Sequence, residues 1–236
     1  MSLARTAPAP AGRREAAKTE RRRRIIAAAR DLIRETGDAG LSMRAIAARA
    51  GVSLATPYNL FGSKRAIVLA ILEDVREFHE RFSRLPPSDA LGRLFEALAI
   101  SIGYYAEDPD FYHTLWSALL DTSGKELRTV ILNPQSHAFW AALIAEAGKD
   151  GAFAEGIDPD LLLRNLNLTF EAVMLNWVHG AIGAEELEPS VSYGYALALR
   201  GAASPAYAAR LDHEVRRRQA RLRQAIAKKA AACTEP

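Results

Sequence analysis

Apolar residues recur along this chain at intervals of three and four, and no alternating stretch of useful length appears, so the pattern predicts helices throughout. Residues 88–106 carry Leu91, Leu94, Phe95, Leu98, Ile102 and Tyr105 on one helical face. A short helix is expected over 110–120 and long ones over 125–147 and 158–182. Helices over 189–202 and 205–231 would each open with a proline, which a first turn tolerates. The 158–182 segment is apolar on two sides: Leu162, Leu166, Phe170, Val173 and Trp177 on one, Leu161, Leu168, Ala172 and Leu175 on another. A helix of that kind needs two packing partners. The sequence LPPSDA at 85–90 interrupts the helix that leaves the N-terminal part.

Between Leu41 and Lys64 the pattern tightens into a helix, a turn and a second short helix. Ser42 can cap the first helix, whose Ile46, Ala47 and Ala50 form an apolar face. Gly51 stands where the chain must leave with a left-handed backbone, and Val52 plugs the corner. Ser53 is the expected cap of the second helix, which would expose Leu54, Ala55, Thr56, Tyr58 and Asn59, groups suited to base edges and phosphates. Gly62 and Ser63 then stop it and cap the next, with Lys64 in the new first turn. This is the spacing of a helix-turn-helix, which presents its second helix to a DNA major groove.

The set Ile25, Ala29, Gly37, Ser42, Ile46, Ala47, Gly51, Val52, Ser53, Tyr58, Phe61 and Lys64 resembles the DNA-binding domain of the TetR family of transcriptional repressors, over roughly 21–75. The resemblance implies an all-α fold with an N-terminal three-helix head on a larger helical body. It further implies that Tyr58 and Lys64 contact phosphates, that Arg44 reaches DNA, and that Leu54, Ala55, Thr56 and Asn59 read or approach bases, with Ser53 beside them on the DNA-binding surface. Pro57 departs from the family pattern. With Ser53 as cap it would fall at a helical position that normally donates a bond, so a tightened, 3₁₀-like first turn is expected.

Composition narrows the class. The 236 residues carry a net charge of +3, and nine arginines and lysines lie between Arg5 and Arg30 against two acidic residues, Glu15 and Glu20. Beside a helix-turn-helix such a block suits a polyanion partner. A second basic run, Arg210 to Lys229, has no recognition motif next to it and reads as a solvated face. Residues 1–18 lack a secretory apolar core and read as a disordered basic arm; 19–78 would be the head with its linking helix, and 79–232 the effector-binding and dimerisation domain. A single cysteine, Cys233, permits no intrachain disulfide, and no run is apolar enough for a membrane span, so a cytoplasmic protein is expected. The five histidines share no metal spacing and no catalytic or phosphate-loop motif occurs, so neither an enzyme nor a cofactor is expected.

The body supplies two further expectations. Leu161, Leu168 and Leu175, together with the small residues Gly194, Ala198 and Ala202 spaced four apart, suggest the seam of a homodimer. Phe95, Leu98, Ile102, His113, Trp116, Phe139, Trp140, Leu143, Asn167, Phe170 and Trp177 would suit a pocket for a small apolar effector. The reading is a ligand-released repressor acting as a homodimer on a palindromic operator. The alternatives are a DNA-binding dimer without effector, or a basic helical protein that binds nucleic acid or membrane non-specifically.

Overall fold

The computed structural model describes residues 10–36, 41–72, 81–85, 88–120 and 134–232. Among these there is no β-strand, only an isolated bridge between Phe153 and Ala203. The chain divides into two compact units, Met1–Asp74 and Val75–Pro236.

The first unit, the head, holds α1 (Pro10–Thr36), α2 (Met43–Arg49), α3 (Ala55–Phe61) and α4 (Lys64–Leu72). α1 packs on both α2 and α4, burying Ile25, Ala29, Leu32 and Ile33 against Ile46, Ala47, Ile67 and Val68. α1 already begins at Pro10, inside the stretch expected to be an irregular arm; residues 1–9 lie outside the described residues, as does Gly37.

The second unit, the body, holds α5 (Ala90–Glu107), α6 (Pro109–Leu120), α7 (Pro134–Lys149), α8 (Pro159–Val178), α9 (Ala184–Gly201) and α10 (Pro205–Ala232). α9 is the hub. It packs on α5, α8 and α10 and buries Leu187, Val191, Tyr195, Ala196 and Leu199. Its start is not at Pro189, as the proline suggested, but at Ala184, and Pro189 sits buried within the helix. The real start signal is acidic: Glu185 and Glu186 occupy the first turn, and the Glu186 carboxylate accepts from the Gly183 N–H at 3.1 Å. α8 is capped by Asp158, which accepts from Asp160 N–H at 2.8 Å, and it ends before Gly180, whose φ of 74° no helix interior adopts.

The C-terminal basic run is not the solvated face expected of it. Arg218 is 4% exposed, stacked 3.7 Å above the Phe95 ring and ion-paired to Glu214. Arg210 pairs with Asp89, Arg221 with Glu188 at 2.8 Å, and Lys229 with Glu186 at 3.1 Å. α10 is thus fastened to α5 and α9 through charges whose acidic partners lie far away in sequence.

Candidate nucleic-acid interface

The helix-turn-helix is assembled by local bonds that its residue types dictate. The Ser42 hydroxyl accepts from the Ala45 N–H at 3.2 Å and opens α2. Gly51 turns the chain at φ 62°, letting the Val52 N–H reach back to the Ala47 carbonyl at 3.0 Å. At the other end of α3, Gly62 stands at φ 80°, and the Ser63 hydroxyl caps α4 by accepting from the Ala66 N–H at 3.1 Å.

The entry to α3 differs from expectation. Ser53 is not the cap; the helix starts at Ala55, after Leu54, and the Ser53 and Thr56 hydroxyls bond each other at 2.9 Å. Pro57 explains the shift. It has no N–H to give the Ser53 carbonyl, so that carbonyl takes the Thr56 N–H instead at 2.9 Å, the tightened turn that the proline predicted. Pro57 then falls within the first turn of α3, where its missing donor costs nothing, and its ring is buried.

This geometry leaves one face of the motif in solvent. Leu54 and Tyr58 are 46% and 51% exposed, Ser53, Ala55 and Asn59 are exposed, Thr56 and Lys64 half-buried, and Arg44 is exposed in the first turn of α2. All eight residues predicted to face DNA therefore lie on, or at the margin of, a short segment that buries only Pro57 from α3.

Two arginines of the basic block have another job, which sequence reasoning missed. Arg24 on α1 donates from Nε to the Ala50 carbonyl at 3.1 Å and from Nη2 to the Gly51 carbonyl at 2.9 Å, with a further bond from Nη2 to Ala50. Arg22 donates to the Leu60 carbonyl at 2.8 Å while its guanidinium lies 4.2 Å above the Phe61 ring. They satisfy carbonyls left open at the ends of α2 and α3 and lock both helices to α1.

In the body, the predicted lining separates into groups. Trp116 meets Phe170 at 6.1 Å and Tyr105 at 6.3 Å between ring centroids, and His113 meets Trp177 at 5.5 Å while its Nε2 lies 3.2 Å from the Val178 carbonyl. Burial pushes the Tyr105 hydroxyl well above its ordinary range, against a small opposing effect of Trp116 beside it. Phe139 and Trp140 meet edge to face at 5.5 Å, and Phe139 meets Phe82 in the same way at 5.2 Å. Leu98, Ile102 and Leu143 are core, Phe95 lies under Arg218, and Asn167 is half-buried.

Two residues of the small-residue stripe expected at a dimer seam, Gly194 and Ala202, take part in the chain's own packing. A Cβ at Gly194 would stand 2.6 Å from Thr169 Cγ2 of α8, so the glycine is what lets α8 and α9 close. Ala202 is 5% exposed and its carbonyl accepts from the Ala154 N–H at 2.9 Å; Ala198 is half-buried. By contrast Leu161, Leu168 and Leu175 of α8 are 62%, 48% and 41% exposed, and Leu197 of α9 is 46% exposed.

No group of three metal-ligating side chains and no helix long and apolar enough to cross a membrane occurs among the described residues.

Residues 25–71 match the sequence profile of the bacterial regulatory proteins of the tetR family. No curated protein matches the chain. Among solved structures, a TetR family transcriptional repressor, FadR of Thermus thermophilus in complex with lauroyl-CoA, is 20% identical with a TM-score of 0.63, covering 76% of this chain and 94% of its own. A putative TetR-family regulator from Syntrophomonas wolfei is 24% identical with a TM-score of 0.58, over 77% of this chain and 96% of its own. The tetR regulator TylP of Streptomyces fradiae is 21% identical with a TM-score of 0.57, over 91% and 93%. Residues 25–71 thus carry the sequence of a tetR-family DNA-binding head, and the chain shares the fold of these regulators.

Proposed function

We propose that the protein is a transcriptional repressor that binds a palindromic operator as a homodimer and is released by a small, largely apolar effector. The observation that carries the reading is the exposed face of α2 and α3, where Arg44, Leu54, Ala55, Tyr58 and Asn59 stand in solvent on a frame locked from behind by Arg22 and Arg24. In this reading Arg44, Tyr58 and Lys64 hold phosphates, and Ser53, Leu54, Ala55, Thr56 and Asn59 meet base edges or the adjacent backbone.

A homodimer is supported by the apolar stripe of Leu161, Leu168 and Leu175 on α8, with Leu197 on α9, which a lone chain leaves in water. The effector would lie among His113, Trp116, Phe170 and Trp177, the part of the predicted lining whose rings meet. Phe95, Leu98, Ile102, Phe139, Trp140, Leu143 and Asn167 stand around it as further candidates. That the similar fold of the T. thermophilus protein accepts lauroyl-CoA supports an apolar chain as one class of effector. Effector and operator must oppose each other by equal factors, because the coupling is reciprocal.

Selection of binding sites from a random duplex library, followed by affinity against scrambled DNA across a salt series, tests the reading. A palindrome with half-sites about 34–36 Å apart is expected. Weak, steeply salt-dependent binding with no winning sequence would overturn it.

A further inference from the structure

We propose that Arg21, with the hydroxyls of Ser53 and Thr56, seats a phosphate of the DNA backbone in the cleft between α1 and the α2–α3 turn. The contact takes its charge from Arg21 on α1, outside the helix-turn-helix, and it rests on the DNA-binding reading above.

The head's cations sort by what they already hold. Arg22 and Arg24 are spent on carbonyls, Arg23 on Glu20, Arg49 on Glu35 and Lys18 on Glu15. Arg21 is exposed and has no hydrogen bond, ion pair or ring contact among the described residues. It lines an open cleft of about 460 Å³ together with Ala17, Glu20, Arg24, Gly51, Val52, Ser53 and Thr56. Ala17 and Gly51 keep its walls low, so a bulky anion can approach.

Its chemistry suits a phosphate. Ser53 and Thr56 bond each other at 2.9 Å, which uses one of their two hydroxyl protons and leaves the other to donate to an anionic oxygen. The carboxylate in the wall, Glu20, is taken up by Arg23 through bonds of 2.9 and 2.7 Å, and that pairing holds its carboxyl below the usual range. Arg24 keeps its charge in the wall even though its donors are engaged by carbonyls. The cleft therefore presents two uncancelled positive charges and a free donor beside the start of α3. A phosphate held there would fix how the recognition helix enters the groove without reading sequence.

The test uses the full-length protein, its Arg21→Ala and Arg21→Lys variants, a selected operator and a scrambled duplex, at salt concentrations from about 50 to 200 mM. Losing one phosphate contact per subunit should lower the salt slope of a dimer by about two, so that wild type loses roughly tenfold more affinity than Arg21→Ala over that range. Operator and scrambled DNA should weaken by the same factor, Arg21→Lys should recover most of the slope, and the unfolding temperature should not move. An Arg21→Ala protein with wild-type affinity and slope overturns the proposal, as does one that loses binding through a lowered unfolding temperature. If wild type fails to prefer any sequence, the operator reading falls, while the slope on scrambled DNA still decides the role of Arg21.

Discussion

Arg22 and Arg24 of the head bind in a way opposite to the paired arginines of the body. In the head, Arg22 and Arg24 donate to the carbonyls of Leu60, Ala50 and Gly51, partners that carry no charge, so the packing of α1 leaves its positive field intact. In the body, Arg81 meets Glu107, Arg93 meets Glu146, Arg200 meets Asp212 and Arg210 meets Asp89, and the charges cancel. A basic run in a sequence is therefore ambiguous until its partners are known. In the run before the motif Arg21, Arg22 and Arg24 face no carboxylate partner among the described residues, while the run at the C-terminus spends much of its charge on holding α10 in place.

The strongest way to break that contrast lies at Arg218. Burial pushes its guanidinium down to about 10, with Glu188 opposing the effect, and its Nε has no hydrogen-bond partner. Arg218→Ala should destabilise the body by about 3 kcal/mol, because it takes from Glu214 its buried partner, leaving only Arg217 at 3.0 Å, and uncovers Phe95. Trp116, Trp140 and Trp177 all lie in the body, so tryptophan fluorescence during chemical denaturation reads this unit alone. The double variant Arg218→Met with Glu214→Gln should recover most of the loss. If it does not, the pair matters for more than its charge balance.

Arg24→Ala comes next, at about 2 kcal/mol in the head, since charge-assisted bonds to two carbonyls at the turn disappear. Hydrogen exchange should show α2 and α3 losing protection while the body is unaffected. Arg24→Lys should not rescue, because a single ammonium cannot reproduce the planar fork. Retained protection in Arg24→Ala would mean that the apolar contacts of Ile25 and Ala29 alone fix the turn.

A third variant separates clamping from close packing. Gly194→Ala places a methyl against Thr169 Cγ2, an overlap expected to cost about 1–2 kcal/mol in the body. Thr169→Ser, which removes that methyl group, should restore stability in the double variant. Failure to rescue would show that α8 and α9 do not depend on this approach.

What could be read from sequence was what local chemistry decides. Ser42, Gly51, Gly62 and Ser63 act within four residues of themselves, and each stands in the structure as its type requires. Asp158, the first residue of the stretch expected to be helical, caps α8. What escaped was decided at a distance or by competition. Ser53 yielded its capping place because Pro57 removed a donor from the next turn. The start of α9 was misplaced because the proline at 189 outweighed the weaker acidic signal at 185 and 186. Gly194 and Ala202 form a smooth stripe in any reading, yet only the position of Thr169 and of the loop at Ala154 shows that these two residues pack within the chain. Arg24 and Arg218 look alike in sequence, and only their partners, 26 and 4 residues away, tell a carbonyl clamp from a buried ion pair.

Acid should sharpen the contrast by the smallest margin. Hydrogen bonds from Arg210, Arg81 and Arg200 hold the carboxyls of Asp89, Glu107 and Asp212 below their usual range. A carboxyl depressed in the folded state contributes stability that is complete above its unfolded value, near about 4, and is lost as pH falls through the lower folded value. The body should thus weaken below about pH 4, whereas the Arg24 clamp on carbonyls has nothing on the acceptor side to protonate. The effect is modest: the Asp89 and Arg210 side chains are 39% and 42% exposed, so their pair is worth about 0.5–1 kcal/mol after screening. Asp89→Asn isolates it, since asparagine can still cap α5 by accepting from the Gly92 N–H while losing the charge that Arg210 seeks. Tryptophan-monitored unfolding of that variant should depend less on pH between about 5 and 3 than wild type does. An unchanged dependence would mean that solvent has already screened the pair, and that α10 is held to α5 by Arg218 over Phe95 rather than by its exposed charges.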